Sequence, residues 1–78
     1  MKFNITPGSE GGFFASSGIE RVSIPLNYFV DDCCKYPGDV ERFISSYLQK
    51  LYGNVELELD EAAKRRTIQI MESNRLLF

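Results

Sequence analysis

The 78-residue chain contains no histidine and no tryptophan, and its two cysteines are adjacent. Histidine is the commonest general base and the commonest metal ligand, so its absence leaves only Lys, Asp or Glu to activate a nucleophile. Because Cys33 and Cys34 are neighbours, they cannot close a loop between distant elements, which excludes a disulfide scaffold within one chain. We therefore expect a protein that is not an enzyme and that needs no metal or cofactor.

The chain also lacks a long apolar run and an excess of basic charge. No apolar stretch approaches the roughly 20 residues that span a bilayer, and the N-terminus lacks the basic-then-apolar pattern of a signal peptide. Nine basic and eleven acidic residues give a net charge of -2, which weighs against nucleic-acid binding through a broad basic face. We expect one small cytoplasmic domain over residues 1–78, with no membrane contact.

The clearest periodic pattern lies in residues 39–52, where apolar side chains recur at helical spacing and polar ones fall on the opposite side. The apolar stripe consists of Val40, Phe43, Ile44, Tyr47, Leu48, Leu51 and Tyr52. Pro37 precedes the stripe and Gly53 follows it, as is typical of the two ends of a helix. We predict an amphipathic helix whose apolar side the rest of the chain must cover.

Four other segments alternate polar and apolar residues as strands do. They are residues 2–6, 20–30, 55–59 and 67–71. Pro25 indicates that the second strand lies at a sheet edge or contains a bulge, and the glycine-rich residues 7–18 are typical of a loop. The predicted fold is α+β, in the order β-β-α-β-β, with a small antiparallel sheet of about four strands and the helix packed across one face.

Two interpretations of residues 60–71 remain open. Alternation favours a hairpin in which residue 57 lies opposite residue 68, so that both apolar sets share one face. The sequence from Glu61 to Arg65 is strongly helix-forming, but Ile68 falls off the apolar stripe of the helix that would result. The hairpin is the favoured interpretation. The apolar tail, Leu76-Leu77-Phe78, either docks on the core or presents a contact.

Two groups of residues are candidates for binding a partner. Phe13 and Phe14 lie within the glycine-rich segment, where large aromatic side chains either anchor a loop to the core or stand exposed as a contact. Glu56, Glu58 and Asp60 project from one side of a predicted strand at intervals of about 6.5 to 7 Å, a spacing that suits a basic partner surface as well as an ordinary solvated face.

These features favour a small protein-binding module that acts as an inhibitor or adaptor of a larger protein complex. Compact acidic proteins of this size include bacterial and phage accessory factors that occupy basic grooves of nucleic-acid-handling complexes, and this association favours such a role. The open edges of the predicted sheet also allow a homodimer.

The alternative function is a nucleic-acid-binding module that uses the basic cluster Lys64-Arg65-Arg66. Acidic neighbours such as Glu61 favour self-neutralisation of this cluster instead.

A thiol enzyme is the third hypothesis. It would rely on Cys33 or Cys34, whose pKa a nearby helix start would lower, although both cysteines also suit small buried positions. The residues from Asp31 to Cys34 include four potential metal ligands, but consecutive residues do not converge easily on one ion.

Overall fold

A four-stranded sheet and two helices make up the computed structural model, which describes residues 1–78. In chain order the elements are β1 (Lys2–Pro7), β2 (Phe13–Ser17), β3 (Glu20–Ile24), α1 (Asp39–Tyr52), β4 (Glu56–Leu59) and α2 (Glu61–Leu77). The α+β class is confirmed. The predicted order β-β-α-β-β is wrong, because the chain forms three strands before its first helix and ends in a second helix.

The strands lie side by side in the order β3-β2-β1-β4. β1, β2 and β3 form an antiparallel meander, whereas β4 pairs in parallel with β1, with Leu57 beside Phe3 and Leu59 beside Ile5. The sheet is therefore mixed and not purely antiparallel. A parallel pair requires a long crossover connection, and the segment containing α1 supplies it by carrying the chain from β3 across to the far side of β1.

The helix predicted over residues 39–52 is confirmed as α1. Val40, Ile44 and Leu48 from its apolar stripe are buried, as the one-sided pattern requires. Gly53 ends the helix at φ 79°, a left-handed conformation that costs glycine little, and its N–H donates to the carbonyl oxygen of Gln49 at 3.0 Å.

Residues 61–77 form α2, so the favoured strand over residues 67–71 and its pairing with residue 57 are wrong. The side chain of Asp60 caps the helix by accepting a hydrogen bond from the N–H of Ala63 at 2.7 Å, and a run of strong helix formers follows. Ile68 falls off the apolar stripe of this helix, and its side chain remains 49% exposed. Local helix propensity and the cap therefore outweigh a short alternating pattern.

The glycine-rich segment contains β2, so the loop predicted over residues 7–18 is also wrong in part. Gly12 is required just before this strand, because a Cβ there would lie only 2.3 Å from the carbonyl oxygen of Ile24. The strand predicted over residues 20–30 stops at Ile24. Pro25 follows it, and a 3-10 turn over Leu26–Phe29 places Phe29 in the core.

One hydrophobic core lies between the sheet and the two helices. Its largest side chains are Phe3, Ile5, Phe13, Ile24, Phe29, Ile44 and Leu48. Since both helices bury their apolar sides against the same face of the sheet, the opposite face is left open. Neither helix has both the length and the apolar composition that crossing a membrane requires.

Candidate functional site

The candidate site is the open face of the sheet, the face that neither helix covers. Strand register fixes which side chains share it, because alternate residues of each strand point to the same side. Across the four strands they form three rows: Ser23, Phe14 and Thr6; then Arg21, Ser16, Asn4 and Glu58; then Lys2 and Glu56. The face is mostly polar, with a single aromatic side chain.

Phe14 is that aromatic side chain, and it lies between Thr6 on β1 and Ser23 on β3. It is only partly buried, because its neighbours on both sides are small. Phe13, in contrast, is 1% exposed and packs edge-on against Phe29 with the ring centroids 5.3 Å apart. The pair predicted from the sequence is thus divided: Phe13 anchors the core, and only Phe14 is accessible to a partner.

The acidic residues Glu56 and Glu58 lie on the open face at the β4 side of the sheet. The carboxylate of Glu58 pairs with the ammonium of Lys2 at 3.0 Å, and this hydrogen bond raises the pKa of Lys2. Both groups are well exposed, so solvent screens the pair and it adds little to stability. Glu56 makes no salt bridge. Negative charge therefore remains available along β4.

Asp60 does not extend this acidic row. Its side chain turns to the N-terminus of α2, where it accepts the hydrogen bond from Ala63. A carboxylate in this position also interacts favourably with the positive end of the helix dipole. The acidic part of the open face is accordingly limited to Glu56 and Glu58, and Asp60 has a structural role.

The basic residues 64–66 do not form one surface. Consecutive residues on an α-helix point about 100° apart, so their side chains leave α2 in three directions. Arg66 donates to the carbonyl oxygens of Gly8 at 2.8 Å and Gly12 at 2.6 Å. Lys64 lies 3.9 Å from Glu61, and Arg65 makes no salt bridge. Arg66 thus attaches the β1–β2 connection to α2, and only Lys64 and Arg65 remain available to a partner.

The two cysteines occupy different environments, and neither thiol is activated. Cys34 is fully buried, and burial raises its pKa to about 11. Cys33 is exposed, and a hydrogen bond to the neighbouring carboxylate of Asp31 raises its pKa above the ordinary value. Both directions are opposite to the lowering expected from a nearby helix start. The thiols are therefore protonated near neutral pH, a state that disfavours nucleophilic attack.

Asp31, Asp32 and Cys33 bring one potential metal-ligand atom each to within 4.8 Å of the others, whereas Cys34 is excluded from the group. Contacts within the turn account for this arrangement. The N–H of Cys33 donates to Asp31 at 2.9 Å, and its thiol lies 3.7 Å from a carboxylate oxygen of Asp32. All three residues are exposed, and exposed acidic groups commonly lie close together without binding a metal ion.

Sequence reasoning missed the edge position of β4, which leaves the outer side of Leu57 and Leu59 without a neighbouring strand. The expected hairpin had covered β4 on one side, and no local signal in residues 55–59 indicates which strand they pair with. No family model, no curated protein and no solved structure matches the chain.

Proposed function

We propose that this chain is a non-enzymatic protein-binding module, an inhibitor or adaptor that presents the open face of its sheet to a larger protein. The observation that carries the proposal is the combination on this face of one accessible aromatic side chain, Phe14, with two exposed carboxylates, Glu56 and Glu58. Both helices lie on the opposite side and leave this surface accessible.

Phe14 has the properties of an anchor in a protein interface. A large aromatic ring supplies much contact area for the loss of only two side-chain torsions, and such rings dominate binding energy where they are fully covered. The adjoining Thr6, Ser16 and Ser23 are small and polar, so they leave the ring accessible and can form the hydrogen-bonding border of a contact.

The charges at the β4 side of the open face favour a basic partner surface. Glu56 is unpaired, and Glu58 shares its charge with a single lysine. Complementary charge steers encounter and selects partners, and its effect on the association rate falls as salt rises. A basic groove of a complex that handles nucleic acid is one surface of this kind. Occupying that groove would make the module an inhibitor.

The test begins with the full chain as bait in nuclease-treated lysate of its own cells, followed by titration of the captured protein in purified form. We expect Phe14→Ala and Glu56→Lys each to weaken binding by about tenfold or more. Glu72→Lys is the matched control, because Glu72 is an exposed acid on α2, in the other layer, and the charge change is identical.

Two results would contradict the proposal. One is a purified partner that binds wild type, Phe14→Ala and Glu56→Lys with the same affinity. The other is recovery of nucleic acid, with no protein partner, in a lysate left without nuclease. That recovery, together with loss of binding in Arg65→Gln, would support the nucleic-acid alternative based on Lys64 and Arg65.

A further inference from the structure

β4 is the last strand of the sheet, and one of its edges has no neighbouring strand. The N–H of Glu56 donates to the carbonyl of Met1 at 2.8 Å, and the N–H of Asp60 donates to the carbonyl of Ile5 at 3.2 Å. Because successive peptide groups of a strand alternate in direction, the N–H groups of Leu57 and Leu59 point the other way. They form a row of hydrogen-bonding groups that an added strand could use.

The side chains beside this edge divide into two kinds. Glu56 and Glu58 stand exposed on the open face, whereas Leu57 and Leu59 lie on the core side and are only half-buried, although they pack against the core. A strand added here would alternate in the same way. Its residues on the open face would meet carboxylates, and the residues between them would cover the exposed sides of two leucines.

A second copy of β4 does not suit this edge. Two β4 strands paired about a two-fold axis would bring the Glu56 and Glu58 side chains of both copies together on one face, and like charges on adjacent strands repel. The arrangement instead complements a strand that carries Lys or Arg at alternate positions. The charge pattern therefore favours a partner of different sequence.

We propose that an extended segment of the partner protein, with basic residues alternating with apolar ones, adds to the sheet as a fifth strand along β4. The inference rests on the proposed function, since it assumes a protein partner that contacts Glu56 and Glu58. It specifies the bound conformation of that partner and the edge at which backbone hydrogen bonds form.

The probe is a short capped peptide, Thr-Lys-Val-Lys-Val-Lys-Thr, titrated into the isotope-labelled full chain and followed by NMR. We expect the amide signals of Leu57 and Leu59 to shift and their hydrogen exchange to slow by about tenfold or more. A peptide of the same composition with its lysines grouped at one end is the first control, and it should bind more weakly. Glu56→Lys should weaken binding of the alternating peptide, whereas Glu72→Lys should not.

Backbone methylation provides the decisive comparison. Two further peptides carry two N-methyl groups each, one on two of the lysine amides and the other on both valine amides. Only one of these two sets can face β4, so one peptide should lose binding by about tenfold or more and the other should retain it. Because both peptides carry the same kind of modification, general effects of methylation cancel.

The outcomes separate this inference from the proposed function. If Glu56→Lys abolishes peptide binding but neither methylated peptide differs from the parent, strand addition is overturned and the open face still binds through its side chains. If no peptide binds, strand addition is likewise overturned. The chain alone could instead form larger species as its concentration rises, and Glu56→Lys could prevent them. In that case the β3 edge of another copy, where Arg21 lies, occupies the β4 edge. This result also overturns strand addition by a partner segment.

Discussion

Phe13 and Phe14 are consecutive residues of β2, and their side chains lie on opposite faces of the sheet. Phe13 contributes to the core, where Phe29 covers its ring, and Phe14 contributes to the open face. This dipeptide thus contributes one large side chain to the hydrophobic core and a second one to the proposed interface. The two roles can be separated by substitutions at neighbouring positions.

We expect Phe13→Ala to lower the free energy of unfolding by about 3–5 kcal/mol, because it leaves a cavity between β2 and the turn that carries Phe29. Phe14→Ala removes only cross-strand contacts on a solvated face, so the loss should be about 1 kcal/mol or less. Urea denaturation measures both values, and Phe13→Leu serves if the alanine variant does not fold. Equal losses at the two positions would contradict the assignment of faces.

The sequence was sufficient for α1, because its stripe is long and both ends carry recognisable signals. It also predicted that Glu56 and Glu58 share one face of a strand, since strand alternation is a local property. Pairing is not local. Lys2 and Glu56 are partners in the sheet, but most of the chain lies between them in sequence. Residues 55–59 alone therefore cannot show that β4 pairs with β1 or that its other edge is free.

The second helix could have been recognised from its beginning. Asp60 before a run of strong helix formers is a helix N-cap signal, and the structure shows the corresponding hydrogen bond to Ala63. The alternation at Ile68 and Ile70 was too short to outweigh it. Helix geometry then directs the side chains of residues 64–66 three different ways. The predicted hairpin did not indicate this division.

Asn74 should be essential for stability although it is polar and buried. Its side-chain amide donates to the carbonyl oxygens of Phe29 at 2.8 Å and Cys34 at 3.1 Å, and so attaches the segment before α1 to α2. Asn74→Leu would leave both carbonyls without a partner, and we expect a loss of about 2–4 kcal/mol in the free energy of unfolding. Ser73→Ala, at an exposed neighbouring position, should change it little. Wild-type stability of Asn74→Leu would show that these bonds are dispensable.

Arg66 and Arg65 should differ in their effect on the β1–β2 connection. Arg66→Met removes the two hydrogen bonds to Gly8 and Gly12, so amide exchange across residues 8–12 should accelerate by about tenfold or more. Arg65→Met removes the same charge without these contacts and should leave exchange there unchanged. Similar exchange in the two variants would mean that Arg66 does not stabilise the connection.

Cys34 should make the protein less stable in alkaline solution. Burial raises the pKa of its thiol from 9.0 to about 11, so between these values the unfolded chain has released the proton and the folded chain still holds it. Stability then falls as pH rises through this window, and the loss is complete above the folded pKa, at about 3 kcal/mol. The matched variant is Cys34→Ala, which keeps every other group that titrates in the same range. The difference between the urea-unfolding free energies of wild type and Cys34→Ala should therefore change with pH only above about pH 9. A constant difference across that range would show that the thiol ionises in the folded protein as it does in the unfolded chain.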